Sequence, residues 1–235
     1  MDALRPRLFV ELGVHNGASY CAFCEAVASL ALETRCMGVD TWQGDDHAGH
    51  YLDAGTLAAL RGYHDPLYRA FSTLRQATFD EVAAGMAPGS VDLLHIDGLH
   101  TYEAVRHDHA TWRPALSNRA VVLFHDIAVT GRSFGVKRYW EEVSSGRPHF
   151  AFDHAHGLGV LGHGDDLPPA LLDLFNAGAE EADRIRQVFV TLGDRATAER
   201  RLSAPLAYRV SPALRVRLAR VIPGPVRAAL RRALG

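Results

Sequence analysis

Val91-Asp92-Leu93-Leu94-His95-Ile96-Asp97-Gly98-Leu99-His100 is an aliphatic run that stops at an acid, a glycine and a histidine. A second run, Ala120-Val121-Val122-Leu123-Phe124, stops in a similar way at His125-Asp126. Both runs are short, β-branched and aliphatic, and bounded by turn residues. They read as buried strands of a parallel sheet. Open α/β sheets bind ligands in the crevice beyond the carboxyl ends of their strands. Neighbouring strands lie about 4.8 Å apart. If these two are neighbours, Asp97 and Asp126 face one another across a metal-sized gap, with His100 beside them.

Outward from these strands the pattern alternates. Leu8–Leu12 and Cys36–Asp40 read as strands, and Ser19–Leu32 as the helix between them, with Ser19 as N-cap. Gln43–Tyr51 reads as a polar loop, and its place over the crevice suits a lid. Ala54–Gly62 and Pro66–Phe71 read as short helices, Ser72–Gln76 as a third strand and Phe79–Ala84 as a short helix. Tyr102–Leu116 and about Val136–Val143 read as helices on either side of Ala120–Phe124. His149–Asp153 and Leu158–Gly162 alternate around His156-Gly157 and predict a β-hairpin. The expected fold is α/β, a doubly wound Rossmann-like sheet, mostly parallel with an antiparallel edge and helices on both faces. The expected organisation is one domain over 1–165, then a helical extension over 166–235 with Ala170–Leu192 helical.

With 235 residues, the chain is long enough for one large α/β domain with a full core. Its charge is uneven. From Arg195 onward, ten arginines stand against one acid, Glu199, so that stretch carries +9 and residues 1–194 carry −11. Three cysteines predict no disulfide scaffold, and Cys21-x-x-Cys24 on a helix reads as two small core-facing residues. Asp2 and the lack of an apolar h-region predict no secretory signal, and no run approaches 18 apolar residues. A cytoplasmic location follows. No nucleic-acid partner is expected, and the extension leaves room for a homo-oligomer.

Glu11-Leu12-Gly13-Val14-His15-Asn16-Gly17 joins the first strand to the first helix. Its glycines allow a sharp turn and close approach of a ligand. The spacing differs from the G-x-G-x-x-G of dinucleotide sites, and an acid at Glu11 suits a ligand that carries an amino group. Asp40 ends the second strand, where an acid commonly takes ribose hydroxyls. The pair points to an adenosyl cofactor.

Four segments carry a resemblance. They are Glu11–Gly17, Asp40-Thr41-Trp42-Gln43-Gly44-Asp45, His95-Ile96-Asp97-Gly98-Leu99-His100-Thr101-Tyr102 and Leu123-Phe124-His125-Asp126. Over residues 7–162 the chain resembles the class I S-adenosylmethionine-dependent methyltransferases. More narrowly, it resembles the branch that methylates sugar hydroxyls in bacterial natural products and surface glycans. The resemblance implies a seven-stranded sheet with the last strand antiparallel. It implies Glu11 and Gly13 near the methionine moiety, Asp40 on the ribose and Thr78-Phe79 near the adenine. Gly17, Thr41 and Trp42 complete the cofactor-binding candidates. It also implies a metal held by Asp97, His125 and Asp126, with His100 as base. The best-known relatives carry a carboxylate where this chain has His125.

The chemistry is consistent with those roles. An alcohol is a poor nucleophile until its proton leaves; a divalent metal lowers its pKa and a nearby base takes the proton. Two carboxylates suit Mg²⁺. An imidazole at His125 would favour Mn²⁺ or another transition metal, or His125 would stand behind the ligands. Each residue also has a plainer reading: Asp97 as the cap of a turn, His100 as the cap of the next helix, His95 as a packed sheet residue. Two other functions fit parts of the pattern, a metallohydrolase using the same Asp/His cluster and a non-catalytic adenosyl-binding module. The acceptor is expected to be a small molecule or a glycan. The Arg-rich stretch interleaves Leu214, Val216, Leu218 and Val221 with Arg215, Arg217 and Arg220, a pattern suited to an anionic membrane surface at the inner face or to docking on protein.

Overall fold

The computed structural model describes residues 1–45, 49–50, 55–131 and 133–203. In chain order the strands and helices are β1 (Leu8–Leu12), α1 (Ala18–Ser29), β2 (Arg35–Asp40), β3 (Gly44–Asp45), β4 (Gly49–His50), α2 (Gly55–Tyr68), β5 (Ser72–Gln76), α3 (Phe79–Ala83), β6 (Val91–Ile96), α4 (Tyr102–Trp112), β7 (Leu116–His125), α5 (Val136–Ser144), β8 (His149–Phe152), β9 (Leu158–Gly162), α6 (Pro169–Phe175) and α7 (Ala179–Ser203). Seven strands form one sheet in the order β5-β2-β1-β6-β7-β9-β8. The first five are parallel, and β9 runs antiparallel to both β7 and β8. This is the doubly wound sheet expected from the alternation. The winding reverses between β1 and β6, which opens a crevice at their carboxyl ends.

The central strands are mostly apolar because both faces are covered. Every residue of β6 is buried, and Val10, Leu94, Val122, Phe124 and Trp112 belong to one core cluster. The register pairs Ile96 with Phe124, so the residue level with Asp97 is His125 and not Asp126. One step of register decides which side chains meet at the strand ends.

Several boundaries differ from the sequence reading. The N-cap of α1 is Gly17 in the left-handed region, and Ser19 lies inside the helix. The Ser19 hydroxyl donates to Glu11 Oε1 instead (2.8 Å), so it is spent on the sheet. The two short helices expected over 54–71 are one helix, α2, with Pro66 inside it. Leu60, His64 and Tyr68 recur every four residues and are all buried. That buried stripe holds the helix together across the hydrogen bond that proline removes. The helix expected to reach Leu116 ends at Trp112, followed by a single 3-10 turn over Arg113–Ala115 that contains Pro114. The loop at 43–51 contains a short ladder, with Gly44 opposite His50 and Asp45 opposite Gly49. The rest of the proposed lid lies outside the described residues.

Contacts divide the chain into Met1–Ala179 and Glu180–Gly235. In the second unit α7 pairs Arg184 with Glu180 and Glu181 on its own surface. The Arg-rich amphipathic stretch beyond it lies outside the described residues. Among the described residues no helix is long and apolar enough to cross a membrane, and the three cysteines are free thiols.

Two adjacent buried residues of α4 make stability depend on pH in opposite senses. Burial pushes the Asp108 carboxyl up to about 7; His107 opposes this and Asp80 adds to it. Burial, with His163 adding, pushes the His109 imidazole down to about 4. A raised carboxyl favours folding in acid, and that benefit fades as pH rises from the unfolded value towards 7. A lowered imidazole favours folding above its unfolded value, and that benefit fades as pH falls towards 4. Asp108→Asn is therefore expected to stabilise the protein at pH 8, by about 3 kcal/mol, and to do little at pH 4. Thermal melts at the two pH values check it. An equal effect at both would mean that the charge of Asp108 is not what burial penalises.

Candidate active site

The cavity lies at the winding switch, beyond the ends of β1, β2, β6 and β7. Its volume is about 590 Å³, and its lining runs from Gly13, Asp40 and Phe79 to Asp97, His100 and Asp126. The glycine turn after β1 forms its floor. Gly13 has φ +88°, and a Cβ there would lie 2.1 Å from the Asp97 carbonyl oxygen. Only a residue without a Cβ lets the turns after β1 and β6 touch.

Asp40 organises that turn. Its Oδ2 accepts from the backbone N–H groups of Val14 (3.0 Å) and His15 (2.8 Å), and its Oδ1 from Trp42 (2.7 Å). The carboxylate thus holds the glycine turn in place while it lines the cavity. Thr41, Thr78 and Phe79 line it as well. Thr78 caps α3, donating to Glu81 from its hydroxyl and accepting from the Glu81 N–H, which fixes Phe79 at the cavity wall.

Three expected cofactor residues do not line the cavity. Glu11 is fully buried between Ser19 and His95, with His95 Nδ1 2.9 Å from its Oε2. It points from β1 into the α1 side of the sheet, where the neighbouring His95 of β6 meets it. Gly17 caps α1, and a Cβ there would meet Leu60 at 2.3 Å. Trp42 is buried and donates from its indole to the His15 carbonyl (2.8 Å). Val14, His15, Asn16, Ser19 and Leu99 line the cavity without having been singled out from the sequence. For the first four the available signal was nearness to the glycine turn, and for Leu99 its place between Asp97 and His100.

The other end of the cavity holds an Asp/His cluster. His100 Nε2 lies 3.1 Å from Asp126 Oδ2 and 3.4 Å from Asp97 Oδ1. His125 Nδ1 lies 3.1 Å from Asp97 Oδ1 and 3.0 Å from Asp126 Oδ1. The helix cap of α4 is Thr101, so the His100 ring is not used for capping. It stacks on Phe134 instead, with ring centroids 4.9 Å apart and planes at 12°. Gly135 donates to the His100 carbonyl (2.7 Å) and brings the Phe134 loop against it. Phe134 carries no sequence signal for this role, since only the fold brings it to His100.

Charge in the cluster is tightly balanced. Burial alone would raise the Asp97 carboxyl, but the imidazoles of His100 and His125 hold it well below the usual carboxylate range. Burial works against a charged His125, yet Asp126 and Asp97 push its imidazole up to about 10. Surroundings that hold a proton this firmly also favour a cation in its place. His125 Nδ1 and Asp126 Oδ1 are buried, and among the described residues neither makes a hydrogen bond. Asp126 sits at φ +64°, a backbone conformation that non-glycine residues seldom adopt and that gathers at functional sites. Donor atoms within 4.8 Å of one another form two groups, Asp97–His100–His125 and His125–Asp126–His156. The three metal candidates from the sequence are thus divided between two groups that share His125. The donor set suits a divalent ion.

A Ser–His–Asp relay also occurs, away from the cavity. His64 contacts Ser72 Oγ through Nε2 and Asp65 through Nδ1, each at 2.7 Å. Ser72 is 2% exposed and His64 1%, so no substrate reaches them and the relay ties α2 to β5.

Residues 10–127 match the family described as "Methyltransferase domain". The uncharacterised protein y4gI of Sinorhizobium fredii is 47% identical over 174 residues, which are 74% of this chain and 19% of that protein. The chain therefore spans about a fifth of that relative's length. Among solved structures, cofactor-bound Rv0187 from MTB is similar, with 12% identity, a TM-score of 0.53 and coverage of 69% of this chain and 76% of that one. A Staphylococcus aureus protein provisionally described as a caffeoyl-CoA O-methyltransferase gives 11% identity and a TM-score of 0.52, over 67% and 77% of the two chains. A Klebsiella pneumoniae protein provisionally described as an O-methyltransferase gives 12% and 0.51, over 69% and 75%. At such identities the likeness is one of fold, and the fold is the one built above. With the family matched over half the chain, on a sheet of this order and with its cavity at the winding switch, the chain belongs to the class I S-adenosylmethionine-dependent methyltransferase family.

Proposed function

We propose that this protein transfers a methyl group from S-adenosylmethionine to a hydroxyl, with a divalent metal and a histidine base. The acceptor we favour is a sugar of a natural product or surface glycan. One observation carries the reading. A single cavity joins a glycine turn and Asp40 at one end to Asp97, His100, His125 and Asp126 at the other. The first end suits an adenosyl cofactor, the second the activation of an alcohol. A metallohydrolase would leave the first end without a use.

When bound, S-adenosylmethionine supplies an electrophilic methyl that passes to the acceptor oxygen as its bond to sulfur breaks. A divalent ion held by the Asp/His cluster would serve as a Lewis acid and make the hydroxyl more acidic. The chain's own groups do the rest. Asp40 and the Gly13 turn orient the cofactor end, and Thr78 and Phe79 wall it. Nε2 of His100 takes the hydroxyl proton, and the carboxylates of Asp126 and Asp97 stabilise the resulting imidazolium. The His100 imidazolium then gives this proton to solvent, which restores the neutral base for the next turnover.

Calorimetry is expected to detect S-adenosylmethionine binding to the full chain. Asp40→Ala is expected to weaken it by more than roughly 10-fold, because it removes both a cavity group and the lock on the glycine turn. Methyl transfer from labelled cofactor to a panel of nucleotide sugars and glycans then tests the acceptor, with and without chelator. Failure to bind the cofactor or its demethylated product would overturn the reading. Full turnover in excess chelator would remove the metal from it.

A further inference from the structure

The turn between β8 and β9 adds a residue to the site. His156 stands in that turn, and its Nδ1 lies 3.4 Å from Asp126 Oδ1. His125 Nδ1 lies 3.0 Å from the same oxygen. Ligands held about 2.1 Å from one ion stand roughly 3–3.5 Å apart, so this spacing is that of ligands sharing a metal.

The backbone is built to bring His156 there. Ala128 N–H donates to the His156 carbonyl (2.9 Å), and Asp126 N–H donates to the Gly157 carbonyl (3.1 Å). Gly157 has φ +85°, and a Cβ there would lie 2.7 Å from Ala128 N and 2.8 Å from Ala128 Cβ. Glycine is what allows the hairpin turn to close on the segment after β7. Asp126, only 5% exposed, turns its buried Oδ1, which accepts no hydrogen bond among the described residues, to the point where the two imidazoles converge.

We propose that His125, Asp126 and His156 hold a first-row transition ion through two imidazole nitrogens and one carboxylate, with His100 off the ion. This rests on the metal-assisted reading above. Mg²⁺ prefers oxygen ligands and near-ideal octahedral geometry, whereas imidazole pairs suit Mn²⁺, Fe²⁺, Co²⁺ or Zn²⁺. The seat in the other group, Asp97–His100–His125, would use the nitrogen that is to receive the proton. It would also leave the buried Asp126 Oδ1 with neither a hydrogen bond nor the ion. In the proposed seat that oxygen is a ligand, and His100 keeps its position between two carboxylates as the base.

Co²⁺ is the probe, followed by calorimetry and by its visible absorption on the full chain. The wild-type protein is expected to bind Co²⁺ at least roughly 10-fold more tightly than Mg²⁺. His156→Ala, at an exposed turn position, is expected to lose at least roughly 10-fold in Co²⁺ affinity, while cofactor binding and thermal midpoint stay as they are. His156→Asn should lose affinity similarly, and His100→Ala should keep wild-type Co²⁺ affinity. Unchanged Co²⁺ affinity in both His156 variants overturns the assignment. A loss in His100→Ala that equals the loss in His156→Ala overturns the choice of seat, and equal wild-type affinities for Mg²⁺ and Co²⁺ overturn the choice of ion. No binding of Co²⁺, Mn²⁺ or Mg²⁺ by the wild-type protein would instead bring down the metal-assisted reading itself.

Discussion

His100→Ala is expected to lower kcat by about 10²–10⁴-fold while S-adenosylmethionine affinity stays within about 2-fold of wild type. The ring lines the reacting end of the cavity and not the cofactor end. Its Nε2 faces Asp126 and Asp97, which in the proposed reaction would orient it and stabilise the charge it gains. Phe134 stacked beneath it and Thr101 as the cap of α4 leave the ring without a structural duty to the helix. Alanine should therefore keep α4 in place and lose the proton acceptor, together with the stack on Phe134. Steady-state kinetics with the labelled cofactor measure the loss. The pH–rate profile separates chemistry from positioning, because the acidic limb that reports imidazole deprotonation should vanish in the variant. His100→Gln, which keeps a polar side chain but cannot take a proton, should behave like alanine. A kcat within 2-fold of wild type in either variant would remove His100 from the reaction.

Gly13→Ala is expected to be strongly destabilising. Two penalties add. A left-handed φ of +88° costs a residue with a Cβ about 1–2 kcal/mol. The added Cβ would also lie 2.1 Å from the Asp97 carbonyl oxygen and 2.6 Å from its carbon, so one of the two turns must shift. Backbone lies on both sides of this clash, and no flexible side chain can give way. A total of about 3–5 kcal/mol is expected, or a fall in Tm of roughly 10 °C for a chain of this size. The shift also moves Asp97, the residue that links the cofactor turn to the Asp/His cluster. Thermal unfolding measures the first effect, and calorimetry with S-adenosylmethionine and Co²⁺ measures the second. A Tm within 2 °C of wild type would mean that the two turns are not held in contact.

The sheet was legible along the chain because its signals are local. Val91–Ile96 and Ala120–Phe124 are mostly apolar and fully or largely buried, as strands covered on both faces are, and each stops at residues that break a strand. Parallel strands joined by helices must place their carboxyl ends together, so Asp97, His100, His125 and Asp126 were bound to share one rim. The glycine turn and Asp40 were readable for the same reason. What the chain order could not decide is everything that depends on distance across the fold. Register, a choice of one residue, put His125 and not Asp126 level with Asp97. Glu11 and His95 lie 84 residues apart, and only their adjacency in the sheet turns an acid beside a glycine turn into a buried partner of a histidine. Pro66 reads as a helix break in sequence, yet the buried stripe of Leu60, His64 and Tyr68 carries α2 through it. His156 belongs to a hairpin by its spacing, and to the metal-binding candidates only because Gly157 lets that hairpin close on Asp126. Local periodicity and turn chemistry are written residue by residue; contacts between side chains far apart in the chain exist only once packing has chosen them.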